Sequence, residues 1–383
     1  LEDGVSTARD DLAGFEASRD ALVQDLADLV RRESPSEKRG RVSDLAAWIR
    51  DRLRSRGVEA EVVPCPPRGD ALRASVGGGG GALLLGHADT VWPVGSWGPD
   101  PFGIEGDLAR GPGVFDMKAG IAAAMAVLPA LAREGGAMAS LLLVPDEEVG
   151  SAASRALLLE TARAHERVLV LEPSLDGAAK VARKGTGLFR LTFAGRAAHA
   201  GLEPEKGASA LAEMARTATL LPSFADADLG TTLTPTLARA GSAANVVPEH
   251  AELTVDVRVW TEAEARRVES AVRGLRPADP GVELSVEGGF ERPPLEPTPA
   301  AEALYRRARR IAADLGFELG AARVGGASDG NLTAAAGIPT LDGLGPRGGG
   351  AHARHEHVVL SDLPRRAALL LGLMRGPGPA AAR

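Results

Sequence analysis

Seven residues of this chain have the types and settings for hydrolytic metal chemistry: His87, Asp89, Asp116, Glu147, Glu148, Glu172 and His352. His87 and Asp89 close the segment Leu83-Leu84-Leu85-Gly86-His87-Ala88-Asp89-Thr90. Asp116 follows a Gly111-Pro112-Gly113 turn, and Glu147 and Glu148 end the run Leu141-Leu142-Leu143-Val144-Pro145-Asp146. Glu172 directly follows the apolar stretch 168–171, and His352 follows Gly348-Gly349-Gly350-Ala351. On an extended backbone the i, i+2 spacing of His87 and Asp89 turns both side chains to one face. Imidazole nitrogen and carboxylate oxygen suit zinc, and also manganese or cobalt. A carboxylate such as Asp116 has two oxygens and can bridge two cations. Adjacent Glu147 and Glu148 point in different directions, so one can bind metal while the other stays free as a base.

That inventory of two imidazoles and three carboxylates, with one glutamate to spare, fits two-metal hydrolysis. Two ions about 3.5–4 Å apart share a water, lower its pKa and polarise a carbonyl. A nearby carboxylate takes the proton and later returns it to the leaving amine. Alone, His87 reads equally well as a core histidine, and Glu147-Glu148 as a solvated pair. Together at the ends of apolar strands the acids are costly without partners or metal, and the cluster reading prevails.

The elements that must hold these residues follow from periodicity. Leu22, Leu26 and Leu29 mark a helix over 18–33, and Val42, Leu45, Ile49 and Leu53 one over 41–56, stopped by Gly57. Val58, Ala60 and Val62 alternate as in a half-buried strand, and Gly77 to Gly81 form a turn. Residues 82–86, 140–144 and 168–171 are continuous apolar runs, the pattern of strands covered on both faces, and 117–133 is an apolar helix. Strands alternating with helices predict a mostly parallel sheet with right-handed crossovers, and such sheets carry their sites at the carboxyl ends of the strands. The pattern changes near residue 182. Leu253, Val255, Val257 and Val259 alternate with Glu252, Thr254, Asp256 and Arg258, as in an antiparallel strand with one uncovered face. Residues 188–193 alternate too. Helices are expected at 207–221 and at 262–275, the second opened by a Thr261/Glu264 capping box. Helices at 299–315 and 362–374 complete the chain, and the tail from 376 is expected to be loose. The fold is therefore α/β: a discontinuous domain of residues 1–182 and 294–383, with a mixed, mostly parallel sheet flanked by helices, and an inserted α+β domain over 183–293.

Composition narrows the rest. Of 383 residues 44% are apolar and 25% charged, ordinary for a globular protein. A net charge of −7 favours neither nucleic acid nor an anionic membrane, and no unbroken run of about 18 apolar residues predicts a spanning helix. Cys65 is the only cysteine, which excludes an intrachain disulfide and a cysteine metal cluster and makes the cytoplasm the expected compartment. Residues 1–17 resemble neither a signal peptide nor an anchor, while Leu1 leaves room for a removed leader.

The motifs Gly86-His87-Ala88-Asp89-Thr90-Val91, Gly111 to Lys118, Asp146-Glu147-Glu148-Val149-Gly150-Ser151, Glu172-Pro173 and Gly345-Pro346 to His352 occur in that order. The chain from about residue 20 thereby resembles the M20 family of co-catalytic zinc metallopeptidases, in particular its carboxypeptidase G2-like (glutamate carboxypeptidase) branch. The resemblance implies two zinc ions per subunit, with cobalt or manganese as substitutes: His87 and Glu172 on one, Glu148 and His352 on the other, Asp116 bridging. It implies Glu147 as the general base, Asp89 as the residue orienting His87, and a cis peptide bond after Asp116. Gly195-Arg196-Ala197-Ala198-His199-Ala200-Gly201 resembles a lid motif whose histidine reaches the partner subunit's site, so His199 is expected at the oxyanion and the inserted domain to act as lid and homodimer contact. Asn245, Arg258, Arg292 and Lys180 (or Lys184 in an alternative register) match positions near a substrate carboxylate, where arginine forks suit bidentate recognition. The implied substrate is a small molecule or peptide ending in a free carboxylate, most nearly a C-terminal glutamate. N-acyl-amino-acid deacylation of the acetylornithine or succinyl-diaminopimelate type is the alternative. Asp329, in Gly326-Ala327-Ser328-Asp329-Gly330, matches a family motif, and its expected role is to support a site residue or the fold.

Two rivals carry less. Gly326-Ala327-Ser328-Asp329-Gly330 fits the G-x-S-x-G pattern of serine hydrolases, with Asp342 and His352 in matching order, but residues 319–325 make a poor strand for a nucleophile elbow. A non-catalytic amino-acid-binding homologue would have lost ligand or base positions, and none is missing. His355 and His357, which flank Glu356, have the chemistry of extra ligands, but a solvated loop is the better reading.

Overall fold

The computed structural model describes residues 7–78, 80–135 and 137–376; the tail beyond 376 and the middle of the five-glycine turn lie outside them. The chain forms two compact units. The first runs to Val181 and includes Pro297–Arg323 and the chain from Ser328. Its core is a six-stranded sheet in the order Glu59–Pro64, Asp70–Val76, Ala139–Val144, Ala82–His87, Arg167–Val170, Thr340–Leu341. The last four strands are parallel, and the first two join as an antiparallel hairpin. The unbroken apolar runs are strands buried on both faces. In Ala82–His87, Leu84 packs with the helices Arg19–Arg31, Arg39–Arg54, Ala119–Glu134 and Leu363–Met374. Leu83 and Leu85 point the other way, into a smaller cluster with Leu158, Ala162 and Leu332. The two-residue period of a strand divides one apolar run between two cores.

The helix Ala119–Glu134 is apolar nearly all round because it is the central core helix. It starts later than the expected residue 117: Asp116 (φ −112°, ψ 91°) and Met117 (φ −134°, ψ 35°) are not helical. With the turn before it, this segment is long and apolar enough to span a bilayer, but 83% of its apolar 18-residue window is buried in the protein. Sequence periodicity also misses the first helix, Ala8–Ala17, and the short strands Gly103–Glu105 and Leu108–Arg110.

The second unit comprises Ala182–Glu296 and Val324–Ala327. Four antiparallel strands lie in the order Thr232–Ala240, His250–Val259, Gly185–Ala194, Glu283–Arg292. The helices Ala210–Leu220 and Glu262–Arg273 cover one face through Met214, Val268 and Val272 against Phe189, Leu191, Val255 and Val257. Backbone and side-chain bonds from Lys184 to Val324 and from Arg183 to Gly326 tie in the outlying segment. Only half of the expected capping box forms. The Thr261 hydroxyl accepts from Glu264 N, but the Glu264 carboxylate accepts from Arg267 and Thr231 instead of reaching back.

Leu84 has no exposed surface, so Leu84→Ala is expected to destabilise the protein by about 2–5 kcal/mol. Ile104, 53% exposed, is expected to change it by under about 0.5 kcal/mol on truncation to alanine. Denaturant unfolding of both variants checks the contrast.

Candidate metal centre

Three parallel strands end beside one another, and each carries candidate ligands at its end or just past it. Ala82–His87 ends in His87, Ala139–Val144 leads to Glu147 and Glu148, and Arg167–Val170 to Glu172. Gly86 has no room for a side chain: a Cβ there would lie 2.8 Å from Met117 Cε and 3.1 Å from Leu143 Cδ2. Gly113 (φ +70°) turns the chain into Asp116, and its Cβ would sit 2.5 Å from Thr90 Cγ2. The Asp116–Met117 peptide bond is cis, as the resemblance implies.

Asp116 lies between the two candidate histidines. His87 Nε2 is 3.3 Å from its Oδ1 and His352 Nε2 3.5 Å from its Oδ2. His87 Nε2 is also 3.6 Å from Glu172 Oε1, and His352 Nε2 is 3.2 Å from Glu148 Oε2. Ligand atoms of His87, Glu147 and Glu172 fall within 4.8 Å of one another, as do those of His87, Asp116 and Glu148. His352 adopts a left-handed φ of 61°, next to Gly350 at 74°.

His87 Nδ1 lies 2.9 Å from the Asp89 backbone carbonyl. A carbonyl only accepts, so Nδ1 carries a proton, and Nε2 is the nitrogen that faces the carboxylates. The Asp89 carboxylate is farther, at 3.5 Å. Its main partners are the backbone N–H groups of Glu147 (3.1 Å) and Glu148 (3.2 Å) and the Ser36 hydroxyl (2.7 Å). Asp89 therefore fixes the glutamate-bearing turn as much as the histidine. Asp146, also buried, accepts from Ala153 N and the Ser154 hydroxyl and steadies the same turn.

The electrostatics reflect carboxylates crowded at strand ends. Burial alone would lower His87, but bonds to Asp116 and Asp89 outweigh it and hold the imidazole well above its ordinary value. Bonds to Asp116 and Glu148 raise His352 to about 10. Burial would raise Asp116, yet His352 and His87 keep it well below the usual carboxylate range. Lys118 is buried and pushed down to about 7 by burial, its Nζ donating to the Arg32 carbonyl. With protons on both imidazoles, the positive charge sits where divalent ions would. The donor set of imidazole Nε2 and carboxylate oxygens fits such ions.

His355 is exposed, as a solvated loop predicts, but sequence reasoning missed Glu356 beside it, a fully buried carboxylate that accepts four N–H bonds beside Asp116. A glutamate between His355 and His357 has no apolar neighbours to signal burial. Ser328 is fully buried. Its hydroxyl caps the helix Asp329–Ala335 and donates to Asp342 at 2.5 Å, while His352 is engaged by Asp116 and Glu148, so no nucleophile–base pair forms there. Asp329 accepts from the Ser151 hydroxyl.

Lys180 lies in the first unit, its backbone paired with Asp342 and its side chain against Gly343. The remaining expected substrate residues belong to the second unit. His199 is exposed, and its Nδ1 accepts from Gly201 N and Leu202 N, both at 3.1 Å. Asn245 is exposed beside it, its carbonyl bonded to Ala200 N. Arg258 and Arg292 flank Thr186 in register on neighbouring strands. The Arg258 fork is closed on Asp256 through two 2.8 Å bonds, and Arg292 is only 6% exposed. Lys184, the alternative to Lys180, donates to the Gly230 carbonyl and lies 5.4 Å from the Trp260 ring centre.

Residues 83–376 match the model of peptidase family M20/M25/M40. The chain is 32% identical to carboxypeptidase G2 of Pseudomonas sp. (strain RS-16), over 78% of this chain and 74% of that protein. It is also 32% identical to N-acetyl-L-citrulline deacetylase of Xanthomonas campestris, over 73% and 77% respectively. Among solved structures, aminopeptidase PepT from Bacillus cereus shares the fold with a TM-score of 0.77 and 22% identity, over 93% of this chain and 98% of that one. A family match across most of the sequence, on a fold that gathers its candidate ligands at the strand ends, makes this chain a member of peptidase family M20/M25/M40, a hydrolase of the metallopeptidase and amidohydrolase type.

Proposed function

We propose that the protein is a two-zinc hydrolase that releases an amino acid with a free carboxylate from an N-acyl or peptidyl substrate, most nearly as a glutamate carboxypeptidase. The observation that carries this is Asp116, with an imidazole facing each of its oxygens and Glu172 and Glu148 flanking them. His87 and Glu172 would hold one ion, Glu148 and His352 the other, with Asp116 shared; cobalt or manganese can substitute. Two bound ions supply an acidified shared water and a polarised amide carbonyl.

The chain's own residues do the rest. Glu147 takes the water's proton and delivers it to the leaving amine. Asp89 holds the turn that carries Glu147 and Glu148, and its carbonyl keeps the His87 proton on Nδ1. His199, whose Nδ1 is used as an acceptor, presents Nε2–H as a donor to the oxyanion, in the site of a second copy. The inserted unit serves as lid and dimer contact, and the metal-binding unit as catalytic domain. Arg258, Arg292, Asn245 and Lys180 hold the product carboxylate, Arg258 exchanging Asp256 for it. The reading places the reaction in the cytoplasm, on the chain's single, buried Cys65. Deacylation of an N-acyl amino acid is the second reading, favoured by the equal identity to the acetylcitrulline deacetylase.

Chelation is expected to abolish hydrolysis of a panel of N-acyl and peptidyl amino acids, and zinc or cobalt to restore it. Activity indifferent to chelator but lost to a serine reagent would move the nucleophile to Ser328. Glu147→Gln is expected to lower kcat by about 10²–10⁴-fold with metal stoichiometry unchanged. The raised imidazoles give a further signature. His352 is protonated at pH 7 in metal-free protein and must lose that proton to ligate. Zinc added in weak buffer at pH 7 should release more protons per chain from wild type than from His352→Gln. By the same sign, the stability His352 contributes to metal-free protein is full below its ordinary value of 6.5 and is lost as pH rises toward about 10. The melting temperature of chelated protein should fall across that window, and less steeply in His352→Gln.

A further inference from the structure

Glu356 has no exposed surface and sits where two ligand-bearing turns meet. Its Oε1 accepts from Phe115 N at 3.0 Å and Asp116 N at 3.1 Å. Its Oε2 accepts from Gly113 N at 3.1 Å and from the Trp92 indole at 2.7 Å. An ionised carboxylate offers about four lone-pair sites, and four donors fill them. The backbone explains the need. Gly113 is left-handed and Asp116 and Met117 are not helical just before Ala119–Glu134, so the N–H groups of Phe115 and Asp116 require an acceptor from elsewhere in the chain.

Glu356 is also four residues beyond His352. Ala353 N bonds Gly350 O (2.9 Å) around His352, and Glu356 N bonds Ala353 O (2.8 Å), so two successive tight turns join the residues. Arg354 of the second turn lies over Trp92 at 5.5 Å and Trp97 at 6.0 Å, the two indoles meeting edge-on at 5.2 Å. The turn bearing His352 and the turn bearing Asp116 are thus fastened through one carboxylate and one indole.

We propose that Glu356 is a positioning residue for the metal centre: by clamping these two turns it sets the separation of His352 from Asp116, and hence the ion held on the His352–Glu148 side. This rests on Asp116 being a shared ligand. The other side depends on His87, the last residue of Ala82–His87, and on Glu172, two residues past Arg167–Val170, so the larger effect should fall on the His352–Glu148 side. Glutamine is no substitute, because its amide nitrogen would face two of the four donors.

The test is cobalt titration of metal-free wild type, Glu356→Gln, Trp92→Phe and the remote core variant Leu84→Ala, read by calorimetry and visible absorption, with melting temperatures alongside. Wild type is expected to bind two ions. Glu356→Gln should weaken one of them about 10–100-fold and leave the other within about threefold. Trp92→Phe, which removes one donor and keeps the carboxylate, should weaken the same ion about threefold and serves if Glu356→Gln does not fold. Leu84→Ala should lose melting temperature without a change in either affinity. Wild-type affinities in Glu356→Gln or in Trp92→Phe, or equal weakening in Leu84→Ala, would overturn the proposal alone. Fewer than two ions in wild type would overturn the shared-ligand reading and this inference with it.

Discussion

Charge compensation at the ends of three buried strands is the constraint on which the site depends. Asp116, Glu147, Glu148 and Glu172 converge on two imidazoles, and carboxylates held this close and this deep repel one another and lose hydration. In the metal-free geometry the compensation comes from protons, which is why both histidines are raised while Asp116 is lowered. Divalent ions would replace those protons. The apolar strands supply the rigidity: fully buried on both faces, they cannot slip by a residue without turning Leu83, Leu84 and Leu85 into the wrong cores.

What was legible in the sequence follows from how local each signal is. Unbroken apolar runs announced the buried strands, and the acids and histidines beyond them were readable as one cluster, because strand ends in such sheets share an edge. Partners supplied from far along the chain were not readable. The hairpin Glu59–Pro64 with Asp70–Val76 was half seen, since its second strand mixes polar and apolar residues without clean alternation. Glu356 looked like a loop residue because its four donors come from positions 240 or more residues away, three of them backbone groups. The Thr261/Glu264 pair had the spacing of a reciprocal cap, but Arg267 one turn on competes for the same carboxylate.

The second unit shows the other limit. Alternation along Ala251–Val259 marks the covered face and leaves the opposite one polar, yet it cannot say whether a polar residue is committed. Arg258 is already paired with Asp256, two positions back on the same face of the strand. An i, i+2 pair of opposite charges satisfies itself, so a recognition role there requires exchange of one carboxylate for another. His199 differs: its Nδ1 is satisfied by its own loop, which orients the ring before any ligand arrives.

Asp89 grips the turn after Ala139–Val144 through main-chain N–H groups, one from Glu147 and one from Glu148. Backbone donors are the same whatever side chains the turn carries. Placement and side-chain chemistry are therefore encoded at separate positions: the side chains at 147 and 148 can diverge without altering the path of the chain that presents them. Asp89 has no such freedom, and a lineage that remodelled this centre would be expected to keep the aspartate longer than the glutamates it holds.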